Sequence, residues 1–315
     1  MQSLRLPVVA APMLIVSGPE LVIAACRAGV LGAFPLGNPR GEGELDAWLE
    51  RIERELAEAA DAGESVAPYV PNLVVHPSNT QLPAQLEAVV AHAPEIVITS
   101  VGSPKNVVPA LHDAGAQVWA DVATVHHAER ALEAGVDGLV LLGAGAGGHT
   151  GWANPFAFVR AVRERFDGTL VLAGGVSDGA SILAAEALGC DLCYLGTRFI
   201  ASAESRAQPA YKQMIVDSEL DDIQLTDVFS GMNVSMMRKS LVANGLDPRD
   251  FGVQGASGGP LYAERNPGGP REWRDIWSAG HSASGIHDVA PVAEIVDRLE
   301  REYHAARAAL RERLR

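Results

Sequence analysis

The chain has 315 residues, 48% of them hydrophobic and 20% charged, and a formal net charge of -14. This mix supplies ample apolar surface for a packed core and excludes global disorder. The negative balance argues against nucleic acid or an anionic membrane as partner, because both are polyanions, and leaves a small molecule as the expected ligand. The start, MQSLRLPVVAAPM, has no charged leader followed by a long apolar run, and no window reaches the length of a membrane span, so the cytoplasm is the expected location.

Short apolar, β-branched runs alternate with longer amphipathic stretches, and the rhythm repeats eight times before residue 205. The expected strands are Pro7–Ala11, Val30–Phe34, Ala67–Val74, Ile96–Ser100, Gln117–Asp121, Gly138–Leu142, Leu170–Ala173 and Asp191–Leu195. Between them the pattern predicts helices such as Glu44–Ala62, Val125–Ala134, Pro155–Arg165 and Gly179–Leu188, several closing on a glycine such as Gly115, Gly135 or Gly189. An open doubly wound sheet would need G-x-G-x-x-G after its first strand, but Ala11-Pro-Met13 stands there, so the α/β class is read as a (β/α)8 TIM barrel. Residues 205–288 break the rhythm with Gly255-Ala-Ser-Gly-Gly-Pro260 and Asn266-Pro-Gly-Gly-Pro270 and are read as a cap insertion. Residues 1–204 and 289–315 then form the barrel with its closing helix, whose apolar face carries Val292, Ile295, Val296, Leu299 and Tyr303. Cys190-Asp-Leu-Cys193 matches C-x-x-C formally but runs into an apolar strand rather than opening a helix, so these thiols and Cys26 are read as core.

Barrels of this kind place reactive groups at the C-terminal strand ends and hold phosphate in the loops after the seventh and eighth strands. Here those loops are Ala173-Gly-Gly-Val176 and Gly196-Thr-Arg198, and the absence of side chains lets backbone N–H groups approach an anion. After the sixth strand comes Gly143-Ala-Gly-Ala-Gly-Gly-His-Thr-Gly151, in which five of nine residues are glycine. A lone imidazole on such a rim can donate a hydrogen bond or accept a proton near neutral pH, which makes His149 the candidate catalytic residue. His126 and His127 open a helix and are read as surface or capping residues, and no side-chain set has metal-ligand spacing.

Taken together, Ala11-Pro-Met13, Asn72, Gly145-Ala-Gly-Gly-His-Thr-Gly151, Ala173-Gly-Gly175 and Leu195-Gly-Thr-Arg-Phe199 resemble the nitronate monooxygenase family, formerly called 2-nitropropane dioxygenases. Tyr211-Lys-Gln-Met-Ile-Val-Asp217 and Trp273-Arg-Asp-Ile-Trp277 are similar to a bacterial branch filed under that name. The resemblance implies an FMN-dependent TIM barrel. Ala11, Pro12 and Met13 would line the flavin ring, Asn72 would hydrogen-bond it, and Gly147 would approach it by backbone. Ala173, Gly174, Gly175, Gly196 and Thr197 would surround the phosphate, and His149 would face the substrate as base or orienting donor. Asp121 stands where well-known members carry lysine at the end of the fifth strand. At about 4 Å and an effective dielectric near 20, one unit charge is worth about 4 kcal/mol, so the exchange bears on any anionic flavin. Phe229-Ser-Gly-Met-Asn-Val-Ser235 also departs from that branch, where a histidine-containing stretch is usual.

The resemblance points first to oxidation of small alkyl nitronates with O2. An NAD(P)H-dependent flavin reductase acting on a quinone or enoyl group is the second reading, and a non-redox phosphometabolite lyase or isomerase the third. The oligomeric state is open between monomer and homodimer.

Overall fold

The computed structural model describes residues 4–255 and 261–315, so residues 1–3 of the N-terminal stretch and 256–260 of the glycine tract lie outside the described residues. Eleven strands are present among the described residues: β1 Val8–Ala10, β2 Leu31–Pro35, β3 Tyr69–Val74, β4 Ile96–Ser100, β5 Gln117–Val122, β6 Gly138–Leu142, β7 Gly148–His149, β8 Thr169–Ala173, β9 Leu192–Leu195, β10 Ile223–Thr226 and β11 Val234–Met237. A closed barrel runs β1-β2-β3-β4-β5-β6-β8-β9. Every pairing is parallel, and β1 meets β9 with Val9 opposite Tyr194 to complete the ring. The chain is therefore a (β/α)8 barrel, as its sequence rhythm predicts.

Because strand side chains alternate, each strand feeds two cores. Val9, Leu31, Val70, Ile98, Trp119, Val140, Val171 and Tyr194 pack inside the barrel, while Val8, Leu73, Val97, Val118, Leu139, Leu170 and Cys193 face the helices outside. Trp119 is fully buried and is the largest such side chain. The next inward position on the same strand is Asp121, at its C-terminal end.

The helices between strands carry local start and stop signals. Thr124 caps the helix Val125–Glu133 by accepting from the His127 amide at 3.0 Å. Asp178 and Ser181 form a capping box for Gly179–Leu188, and Gly189 ends that helix at φ 105°, a conformation costly for any side-chain-bearing residue. The closing helix Val292–Arg313 buries the expected face, Val292, Ile295, Val296, Leu299 and Tyr303. It lies so close to Gly179 that a Cβ there would sit 2.0 Å from the Tyr303 amide nitrogen. Asp288 fixes the approach to this helix by accepting from buried Arg198 at 3.0 Å and from Arg298 at 2.6 Å.

Cys26, Cys190 and Cys193 are unpaired and buried, and burial pushes the Cys26 and Cys190 thiols up to about 12, the direction expected of inert core thiols. Among the described residues no helix is long and apolar enough to cross a membrane.

A second sheet, antiparallel and ordered β10-β11-β7, lies over the barrel mouth. Two of its strands come from the tract after residue 205, and the third is the loop that carries His149: Val234 pairs with His149 and Ser235 with Gly148. Phe229 stacks on Phe251 at 5.3 Å, and with Tyr262, Met236 and Ile276 they give this sheet a core of its own.

Candidate active site

One cavity of about 1160 Å³ opens at the C-terminal ends of the barrel strands. Its wall contains all twelve residues singled out from sequence: Ala11, Pro12, Met13, Asn72, Asp121, Gly147, His149, Ala173, Gly174, Gly175, Gly196 and Thr197. They come from six strand ends spread over most of the chain, and the barrel closure brings them together.

The loop after β1 is held by Ser17, whose hydroxyl accepts from the Met13 amide at 3.0 Å and donates to the Ala11 carbonyl at 3.3 Å, and by Asn38. Asn38 donates to the carbonyls of Met13 at 3.0 Å and Ser17 at 2.7 Å and accepts from the Ile15 amide at 2.8 Å. This fixes Ile15 at φ 68°, and with Val101 and Trp273 it accounts for three of the four non-glycine residues at positive φ among the described residues. Val101 and Trp273 line the cavity and Ile15 follows Leu14 on its rim, so the backbone strain collects at the site. On β3, Asn72 is buried; its amide reaches the Ile98 carbonyl at 3.4 Å and its oxygen accepts from Ser100 at 3.3 Å.

At the phosphate-type loops, Gly174 and Gly175 have φ 114° and 76°, and a Cβ on Gly175 would meet no atom within 4 Å. The loop thus turns an unobstructed backbone toward the cavity. Gly196 precedes the short helix Thr197–Ile200, and its nearest neighbours would be Met13 Sδ at 3.7 Å and Ala11 Cβ at 3.8 Å, which places the β1 and β9 loops side by side. Thr197 accepts from the Gly280 amide at 2.9 Å, anchoring the far segment to the barrel. Gly147 is glycine for a packing reason as well: a Cβ would lie 2.8 Å from the Gly280 nitrogen.

The glycine-rich loop is strapped down along its length. Thr150 donates to the Gly143 carbonyl at 3.0 Å, its amide donates to the Asn233 carbonyl at 3.0 Å, and the Ala144 amide donates to Ala153 at 2.8 Å. With the β7–β11 pairing, these bonds hold His149 in a defined place. The Ser230 hydroxyl lies 3.3 Å from its Nε2, and the Trp273 ring meets it edge-on at 5.2 Å and 63°. Burial lowers the imidazole pKa, because a charged ring loses hydration there, so the neutral form prevails near pH 7.

Asp121 presents the opposite case. Its Oδ1 is buried with no hydrogen-bond partner, and burial raises its carboxyl to about 7. The Tyr194 hydroxyl, also on the cavity wall, is likewise buried and unpartnered. Tyr194, Trp273 and Ser230 carry no site role in the sequence reading. The inward phase of Leu192 and Tyr194 on β9 signals the first, whereas Ser230 and Trp273 meet His149 only through tertiary contacts. His127, expected at the surface, is exposed and also borders the cavity. Among the described residues no three His, Cys, Asp or Glu side chains converge as metal ligands.

A family model described as nitronate monooxygenase matches residues 1–302. A nitronate monooxygenase from Paraburkholderia phytofirmans is 29% identical, over 97% of this chain and 94% of that protein. Among solved structures, a nitroalkane oxidase from Streptomyces ansochromogenes superposes with a TM-score of 0.77 at 23% identity, covering 97% of each chain. FabK from Thermotoga maritima gives 0.76 at 23% identity over 98% of this chain and 96% of its own. At that identity the two structures establish likeness of fold. From the match of the family model along nearly its whole length, this chain is an oxidoreductase belonging to the nitronate monooxygenase family.

Proposed function

We propose that the protein is an FMN-dependent oxidoreductase that oxidises small alkyl nitronates with O2. The observation that carries this reading is the meeting in one cavity of the two glycine loops after β8 and β9 with a fixed, neutral His149. The donor set fits the cofactor: the open backbone at Gly175 and Gly196, next to Gly174 and Thr197, suits a phosphate, and Ala11, Pro12 and Met13 offer an apolar wall to a planar ring. Ala173 and the backbone of Gly147 complete the enclosure, and Asn72 and Asp121 supply polar contacts from below. Bound there, FMN would accept electrons from the substrate and pass them to O2.

His149 orients the substrate by a hydrogen bond to a nitro oxygen, and its neutral ring can take the α-proton from a nitroalkane that arrives uncharged. Residues 205–288 act as the cap that shapes the substrate end, with Ser230 and Trp273 holding the imidazole. The test is oxygen uptake by FMN-loaded protein with a series of short-chain nitronates. Uptake that depends on His149 supports the reading, and no uptake with any of them refutes it.

A second reading, an NAD(P)H-dependent reductase of a quinone or enoyl compound, is favoured by one observation. The cavity of about 1160 Å³ exceeds the roughly 300–1,000 Å³ that holds one drug-sized ligand, and exposed Leu14, Trp152 and Met232 extend its apolar wall to the mouth. Anaerobic bleaching of the bound flavin by NADH or NADPH separates the two. The lyase or isomerase reading loses its support with membership in an oxidoreductase family.

A further inference from the structure

The barrel strands carry only four titratable side chains: Tyr69 on β3, Asp121 on β5, and Cys193 and Tyr194 on β9. Tyr69 donates to Glu53 at 2.6 Å, and Cys193 packs among the residues that face the helices. Asp121 and Tyr194 remain, both on the cavity wall, each with a buried polar atom that has no protein partner. Burial raises the Tyr194 phenol pKa, and the charge of Asp121 across the cavity adds to the rise. The flanking strands β4 and β6 bring no titratable group to Asp121. His76, His127, Arg130, His149, Tyr211 and Asp227 also border the cavity, yet among the described residues none of them forms a hydrogen bond or ion pair with Asp121.

Buried polar atoms in native proteins are nearly always paired, so a carboxyl on the cavity wall with no protein partner marks a group whose surroundings are completed by what occupies the cavity. We propose that Asp121 is a proton-linked positioning residue: when a flavin covers this wall, the carboxyl takes up one proton from solvent and is held as a neutral donor toward the ring. This inference rests on the flavin reading of the site. The reason is solvation. Asp121 keeps part of its surface in the open cavity, and an aromatic ring laid against it removes that water. With no hydrogen bond or ion pair to it among the described residues, the carboxylate loses its main stabilisation, whereas the carboxylic acid can donate to an acceptor on the ring. The free carboxyl stands at about 7, so the proton is exchanged in the neutral range.

The test is calorimetric titration of apoprotein with FMN near pH 8, repeated in two buffers of different ionisation enthalpy to count protons. The wild type is expected to take up about half to one proton more per FMN than Asp121→Asn, a difference that cancels the phosphate's own titration. Its affinity should fall by up to about tenfold per pH unit above neutrality, with a flatter profile in the variant. Tyr194→Phe should keep the proton uptake. Asp121→Ser serves the same comparison if the asparagine variant does not fold. Equal proton counts in wild type and variant, or release instead of uptake, overturn the inference and leave the flavin site standing. Failure of FMN to bind the wild type overturns both.

Discussion

Gly196→Asp separates charge from shape at the cofactor loop. Gly196 has φ -94°, an ordinary value for any residue, and an added Cβ would stand 3.7–3.8 Å from Met13 Sδ and Ala11 Cβ, which is normal contact. The fold should therefore accept aspartate without strain. If FMN phosphate sits in the adjoining loops, the new carboxylate lies near it. At about 5 Å and an effective dielectric near 20, each pair of unit charges costs about 3 kcal/mol, or a few-hundredfold in affinity. Fluorescence quenching on titration with FMN measures the loss, with Gly196→Asn as the uncharged control of similar size. Riboflavin, which lacks the phosphate, should bind wild type and Gly196→Asp within a few-fold of each other. Equal losses for the aspartate and asparagine variants, or equal losses for FMN and riboflavin, would refute the placement of the phosphate.

His149→Ala should leave FMN bound, as seen from the visible spectrum, while turnover drops by about 10²–10⁴-fold. The acid limb of the wild-type pH profile should lie below the ordinary histidine value and be missing in the variant, because burial lowers this pKa; an unchanged profile would remove His149 from the chemistry. In the free protein, Asp121 binds a proton between its ordinary 3.8 and about 7 that the unfolded chain releases, so stability should fall as pH rises through that window and level above it. Thermal melts of wild type and Asp121→Asn across that range check the sign, the variant giving the flatter profile. Gly179→Ala should cost about 1–3 kcal/mol or more in denaturant unfolding, because its methyl group collides with the closing-helix backbone at Tyr303.

The barrel was legible because its strands are buried on both faces and read as unbroken apolar runs. Ile96–Ser100 and Gly138–Leu142 have the same ends in sequence and structure, and the others shift by a residue or two where loop hydrogen bonds decide the boundary. The cavity wall was legible for a related reason: strand ends in a barrel converge, so residues placed after each strand must meet. What escaped was β7. Gly148 and His149 have no strand pattern of their own, and their pairing depends on β11, far along the chain. Five glycines in nine residues give no sign of what holds this loop, which is Thr150 and the β11 backbone. Tyr194 escaped as a polar group because its strand reads as core, which it also is.

The β7–β11 ladder makes the cap and the histidine one mechanical part. A cap exchanged between relatives to change substrate range would leave Gly148 and His149 without their partners, Ser235 and Val234, and the imidazole would lose its aim. Under the proposed function, specificity and catalysis are therefore inherited together, and the transplantable unit is residues 143–151 along with β10 and β11.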